Sequence, residues 1–156
     1  MSLDATAREA NIRDSIKRYF VTNLYDTEGL EVMFDKSLST PDLTDKSVDK
    51  WVVINFGAMV LGSSSELYLN IFACSRKDAE GFKLAQTRDK VMGYLSDTTK
   101  TDCMARIPFY RSSATEAWTL IGALVVQEVT EGPQIEAEDM TKFKQLTVRL
   151  FWSAKV

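Results

Sequence analysis

The sequence contains no histidine. That absence excludes Ser–His–Asp triads, Cys–His nucleophile pairs and histidine-ligated zinc, and leaves carboxylate pairs, lysine chemistry and oxygen-ligated Mg²⁺ open. Cysteine is scarce: Cys74 and Cys103 have neither CxxC nor metal-ligand spacing. Two reduced thiols are the favoured reading, with a single disulfide between them as the alternative. As a nucleophile Cys74 lacks any histidine base, so packing explains it better. No phosphate loop, GxGxxG or GxSxG motif is present. No apolar run approaches the ~20 residues needed to cross a bilayer, and the opening MSLDATAREANIRD has no signal-peptide apolar core. The chain therefore reads as intracellular, with no membrane partner. Basic charge is not in excess either. Nineteen Lys and Arg against 22 Asp and Glu give a net charge of −3, so the total makes no case for gripping nucleic acid or an anionic membrane.

What is present is a 156-residue chain of ordinary apolar and charged content, long enough for one domain with a substantial core. Residues 66–95 organise it. ELYLNIFACS alternates with period two, placing Leu67, Leu69, Ile71 and Ala73 on one face and Tyr68, Asn70, Phe72 and Cys74 on the other. Ser75 then reads as a helix N-cap with Asp78 at the third helical position. A helix to Leu95 follows, with Gly81, Leu84, Ala85, Arg88, Val91, Met92 and Leu95 on one stripe.

Elsewhere, a first helix is expected from Asp4 to Tyr25, with Ile12, Ile16, Tyr19, Phe20 and Asn23 on one face. A short strand is expected at Leu30–Phe34. WVVINFGAMVL (51–61) reads as a long strand with Gly57 marking a bulge or bend, joined through GSSS (62–65) to the central strand as a hairpin. Met104–Arg111 is strand-like, and Pro108 assigns it to an edge or a strand end. Glu116–Val129 is another long strand, and FKQLTVRLFW turns Leu146, Val148, Leu150 and Trp152 to one side. Two polar segments, 35–49 and 130–141, read as long loops, a kind often kept for contact or mobility. The class expected is α+β: a mainly antiparallel mixed sheet with two main helices packed on one face, in a single domain over 1–156.

Few residues break pattern. Arg88 lies inside the apolar stripe of the second helix, where its stem can pack while the guanidinium reaches an acidic partner. Phe82 is an aromatic on that helix's charged face. Glu131, Glu136, Glu138 and Asp139 crowd the loop 130–141 without EF-hand spacing, so a solvated contact loop is a better reading than a metal site. Together these six form the candidate interface. No catalytic, cofactor-binding or metal-binding residue is assigned.

The order of elements resembles that of the tail terminator (tail completion) proteins of long-tailed bacteriophages and related contractile particles. The resemblance rests on the N-terminal helix NIRDSIKRYFVTNL, the hairpin WVVINFGAMVLGSSSELYLNIFAC, the helix EGFKLAQTRDKVMGYL directly after it, and the closing strand KQLTVRLFW. It covers most of the chain as a pattern of elements, without a short identifying motif. It implies a non-enzymatic structural protein of the virion tail, assembled in the host cytoplasm. Such a protein forms a ring, typically hexameric, at the head-proximal end of the tail tube, ends tube polymerisation and joins tail to head. Its partners would be further copies of itself, the tail tube protein and a head-completion or neck protein, with DNA passing through the channel without specific binding. The alternatives are another head–tail connector or tube-associated ring protein, a small carboxylate enzyme, and a small soluble ligand-binding or adaptor domain.

Overall fold

The computed structural model describes residues 3–35, 48–113, 116–137 and 140–153, with backbone alone at 112, 113, 116 and 117. The architecture grows from the hairpin. Strand β2 (Lys50–Val60) and strand β3 (Ser65–Ser75) pair antiparallel from Lys50 opposite Ser75 to Val60 opposite Glu66. The ladder slips between Phe56 and Met59, at Gly57. A Cβ on Gly57 would lie 2.8 Å from the Tyr68 carbonyl oxygen, so the bulge needs a residue without a side chain.

Six strands form one sheet in the order β1-β2-β3-β6-β5-β4. Strand β1 (Glu31–Phe34) runs parallel to β2 at one edge. Strand β6 (Lys142–Trp152) lies between β3 and β5 (Glu116–Glu136), antiparallel to both. Strand β4 (Arg106–Ser113) closes the other edge. Pro108 thus sits on an edge strand, as its missing N–H requires. The fold is α+β, a curled, mostly antiparallel mixed sheet with two helices.

Helix α1 (Glu9–Phe20) follows a 3-10 turn at Ala5–Ala7 and leads into a seven-residue π-helical segment, Val21–Thr27. The single helix expected over 4–25 is therefore three segments of different pitch. Helix α2 (Phe82–Leu95) begins six residues later than expected. Ser75 does not cap it; the Ser75 hydroxyl donates to Asp78 Oδ2 at 3.0 Å, and the same carboxylate oxygen accepts the Leu84 N–H at 2.9 Å. Asp78 thus caps from within a loop. The buried face of α2 is Leu84, Thr87, Val91 and Leu95, while Ala85 is exposed. Thr87 can take the inner position because its hydroxyl donates to Lys83 O at 2.9 Å, which satisfies it inside the helix.

One core joins both helices to the sheet. Ile12, Ile16 and Phe20 of α1 and Val91 and Leu95 of α2 share a cluster with Leu67, Leu69, Ile71, Leu146, Val148 and Leu150. On the opposite face, Trp51, Val53 and Cys74 form a smaller buried cluster against Met33, Phe72 and Phe143.

The segment expected as a loop over 130–141 is mostly strand. Strand β5 continues to Glu136, with register slips at Val126/Glu128 and Glu131/Gln134. Gly132 and Pro133 fall in the second bulge, where a proline interrupts no ladder bond. The expected loop 35–49 lies largely outside the described residues.

Candidate functional site

The candidate residues fall at the junction between the start of α2 and the far end of the β5–β6 pair. Gly81, with φ +79°, precedes α2 and lies against Gln134; a Cβ there would come within 2.6 Å of Gln134 Oε1. The helix start is thereby set close on β5. Lys142 Nζ donates to the Asp78 carbonyl. Burial pushes the Asp78 carboxyl up, but the Leu84 N–H, the Ser75 hydroxyl, the Lys83 N–H and the Lys142 charge together hold it below the usual carboxylate range. Phe82, the first residue of α2, is 68% exposed.

Arg88 and Glu131 are brought together. Arg88 Nε lies 2.5 Å from Glu131 Oε1 and Arg88 Nη1 lies 2.9 Å from Asp89 Oδ1, while Lys144 Nζ sits 3.6 Å from Glu131 Oε2. The hydrogen bond from Arg88 is the main cause holding the Glu131 carboxyl below its ordinary value, and the Glu131 bond raises Arg88. Arg88 therefore spans from the rim of the helix to an acidic partner on the sheet. Both side chains remain about one-third exposed, at 32% and 31%, so the pair contributes under ~1 kcal/mol. Its consequence is mainly positional: it ties α2 to the bulge in β5. Glu136 ends β5 opposite Lys142 and is exposed. Glu138 and Asp139 lie outside the described residues. Among the described residues no three Cys, Asp or Glu side chains gather as a metal site, and no helix is long and apolar enough to cross a membrane.

Both thiols are free; Cys74 is buried and Cys103 exposed. Burial pushes the Cys74 thiol up to about 12, so it is protonated and unreactive near neutral pH. Treatment with a thiol reagent under native conditions is expected to modify Cys103 alone, with Cys74 reacting only after denaturation. Mass spectrometry of digested, labelled protein checks this; equal labelling of both thiols in the folded protein would contradict the buried placement of Cys74.

A second surface was not legible as a site in the sequence. Strand β6 ends at Trp152, and its last partner on β5 is Val125 opposite Phe151. Residues 116–124 of β5 pair with β4 alone, making a two-stranded arm beyond the sheet. A two-stranded ribbon is marginal by itself, and α1 supports this one. Ser15 Oγ accepts the Tyr110 N–H at 2.9 Å and donates to the Tyr110 carbonyl at 3.3 Å. Trp118 and Leu120 stand exposed on the arm, at 42% and 63%. Their alternate positions were visible in EAWTLIGALVVQEV, but only the end of β6 shows that this half of the strand has no second neighbour.

Comparisons with known proteins bear on the fold alone. No protein-family profile matches the chain, and no curated protein matches it. Fourteen solved chains share its fold. One of them, whose name states no function, is 9% identical over 96% of this chain and 97% of its own, with a TM-score of 0.56. The likeness extends over nearly the whole of both chains and bears on the α+β fold alone.

Proposed function

We propose that the chain is a non-enzymatic structural subunit that assembles into a ring and closes the head-proximal end of a phage tail tube, as the tail terminator resemblance implies. The arm carries this reading. A ribbon that has no β6 neighbour beyond Val125 and exposes Trp118 and Leu120 offers apolar contact area outside the core that its Ile107, Phe109 and Leu124 help to fill, which suits an intersubunit surface. In a head-to-tail ring each subunit contributes two different patches. The arm is one. The end of the sheet bearing Phe82, Ile135 and Met140, all exposed, is the other. The acidic balance of the chain suits a channel that lets DNA pass without holding it. The partners of the ring are the tail tube protein below and a neck or head-completion protein above.

The test is the native mass of the purified protein over a concentration series, alone and with tail tubes, followed by imaging of the largest species. A closed ring, formed alone or on the tube end, is expected. A protein that stays monomeric at every concentration, with and without tubes, would defeat the reading.

A further inference from the structure

Arg18 is held differently from the arginines that meet carboxylates. Arg13, Arg88, Arg106 and Arg149 each pair with an acidic side chain. The Arg18 guanidinium instead lies 4.3 Å from the ring centre of Tyr110 and 5.0 Å from that of Trp118, and the two rings meet edge to face at 5.9 Å. Among the described residues no carboxylate reaches its N–H donors. Stacking of this kind fixes the plane of a guanidinium while leaving its fork open, so little side-chain freedom remains to be lost when an anion arrives.

The fork borders a groove of about 300 Å³ lined by Arg18, Tyr19, Thr22, Asn23, Pro108 and Tyr110. Thr22 and Asn23, each one α-helical turn beyond Arg18 and Tyr19, border it from the π-helical segment that begins at Val21. Asn23 is half-buried, and its amide makes no side-chain hydrogen bond among the described residues. Pro108 and Tyr110 complete the lining, Tyr110 with its ring against Arg18. A cationic fork, an amide and a hydroxyl bordering one partly apolar groove are the parts of a small-molecule site.

We propose that this groove between α1, the π-helical segment and β4 binds an oxyanion, a carboxylate or a phosphate, attached to a flat apolar body. Arg18 takes two oxygens through its fork, Asn23 and Thr22 donate to the same group, and the apolar body lies against Pro108. This stands apart from the ring reading and does not depend on it.

The experiment is a nuclear magnetic resonance titration of the full chain at fixed ionic strength with benzoate, phenyl phosphate, acetate and inorganic phosphate, following the Arg18 Nε–H and the Asn23 side-chain amide. One aryl oxyanion is expected to shift both signals saturably, with a dissociation constant on the order of 1 mM, and at least about tenfold tighter than its aryl-free counterpart. Benzoate or phenyl phosphate, whichever binds, sets the class. Arg18→Lys keeps the charge but loses the fork, and should weaken binding about tenfold; Asn23→Ala should weaken it several-fold, with both variants' amide spectra otherwise unchanged. Absence of any saturable shift in the titration would overturn the proposal, as would Arg18→Lys binding as tightly as the parent.

Discussion

Leu150→Ala is expected to lower the unfolding free energy by about 2–5 kcal/mol. Leu150 is fully buried on β6, opposite Leu67 of β3 and Val126 of β5, all three inside the main cluster. Ladders on both sides fix the backbone there, so the lining cannot collapse into the space left behind. A lost transfer term and a residual cavity then add. In a chain of this size the melting temperature should fall on the order of 10 °C, with the denaturant midpoint moving at constant slope. Arg149→Ala, one residue away and pointing to the opposite face, is the control. Its pairing with Glu128 at 3.5 Å is a surface contact, and its loss should change stability by under ~1 kcal/mol. Equal, small shifts for both variants would show that β6 does not carry the core.

Leu120→Asp is expected to leave the monomer folded and to abolish ring formation. Leu120 is 63% exposed on the arm, and exposed substitutions usually change stability by no more than ~0.5 kcal/mol. Within an interface the same carboxylate would have to shed its water against apolar neighbours, at a cost of several kcal/mol. Each 1.4 kcal/mol is about tenfold in association, so the ring should weaken by roughly a hundredfold or more. Tails assembled with the variant should then run beyond normal length. Sedimentation and measured tail lengths read the two effects separately. Rings of normal stability and tails of normal length with Leu120→Asp would remove the arm from the interface.

Much of the fold could be read because its signals are local. The period of two in ELYLNIFACS and FKQLTVRLFW depends only on which face is buried, and both strands lie in the middle of the sheet. Gly57 narrowed its site to a bulge or bend and Pro108 to an edge or strand end, because a missing Cβ and a missing N–H each have few uses inside a strand. Other features depend on tertiary partners. Glu131, Gly132, Pro133 and Glu136 have the composition of a loop, yet lie in β5, where Arg88 and Lys144 compensate the Glu131 carboxylate from neighbouring elements. Ser75 and Asp78 have capping-box spacing, but the helix waits for Gly81, whose positive φ and contact with Gln134 no spacing rule reveals. The π-helical turn after Phe20 has no sequence signature at all. Of the candidate site, Arg88 finding an acidic partner was legible from its place in an apolar stripe. The Arg18 stack was not, because Tyr110 and Trp118 approach it from strands 92 and 100 residues further along the chain.

The position of β6 in the sheet has a consequence for the order in which the molecule can be made. The strand latest in the chain occupies an interior lane, between a hairpin synthesised early and another synthesised just before it. While the ribosome is still translating, β2–β3 and β4–β5 can each form as a local ribbon, but neither has a neighbour on its inner edge. Leu146, Val148, Leu150 and Trp152 reach them only when the last strand clears the exit tunnel. The sheet therefore closes in a single late step, and a nascent chain stalled before residue 142 is two hairpins with open edges, the form most exposed to chaperones and to pairing with another nascent chain.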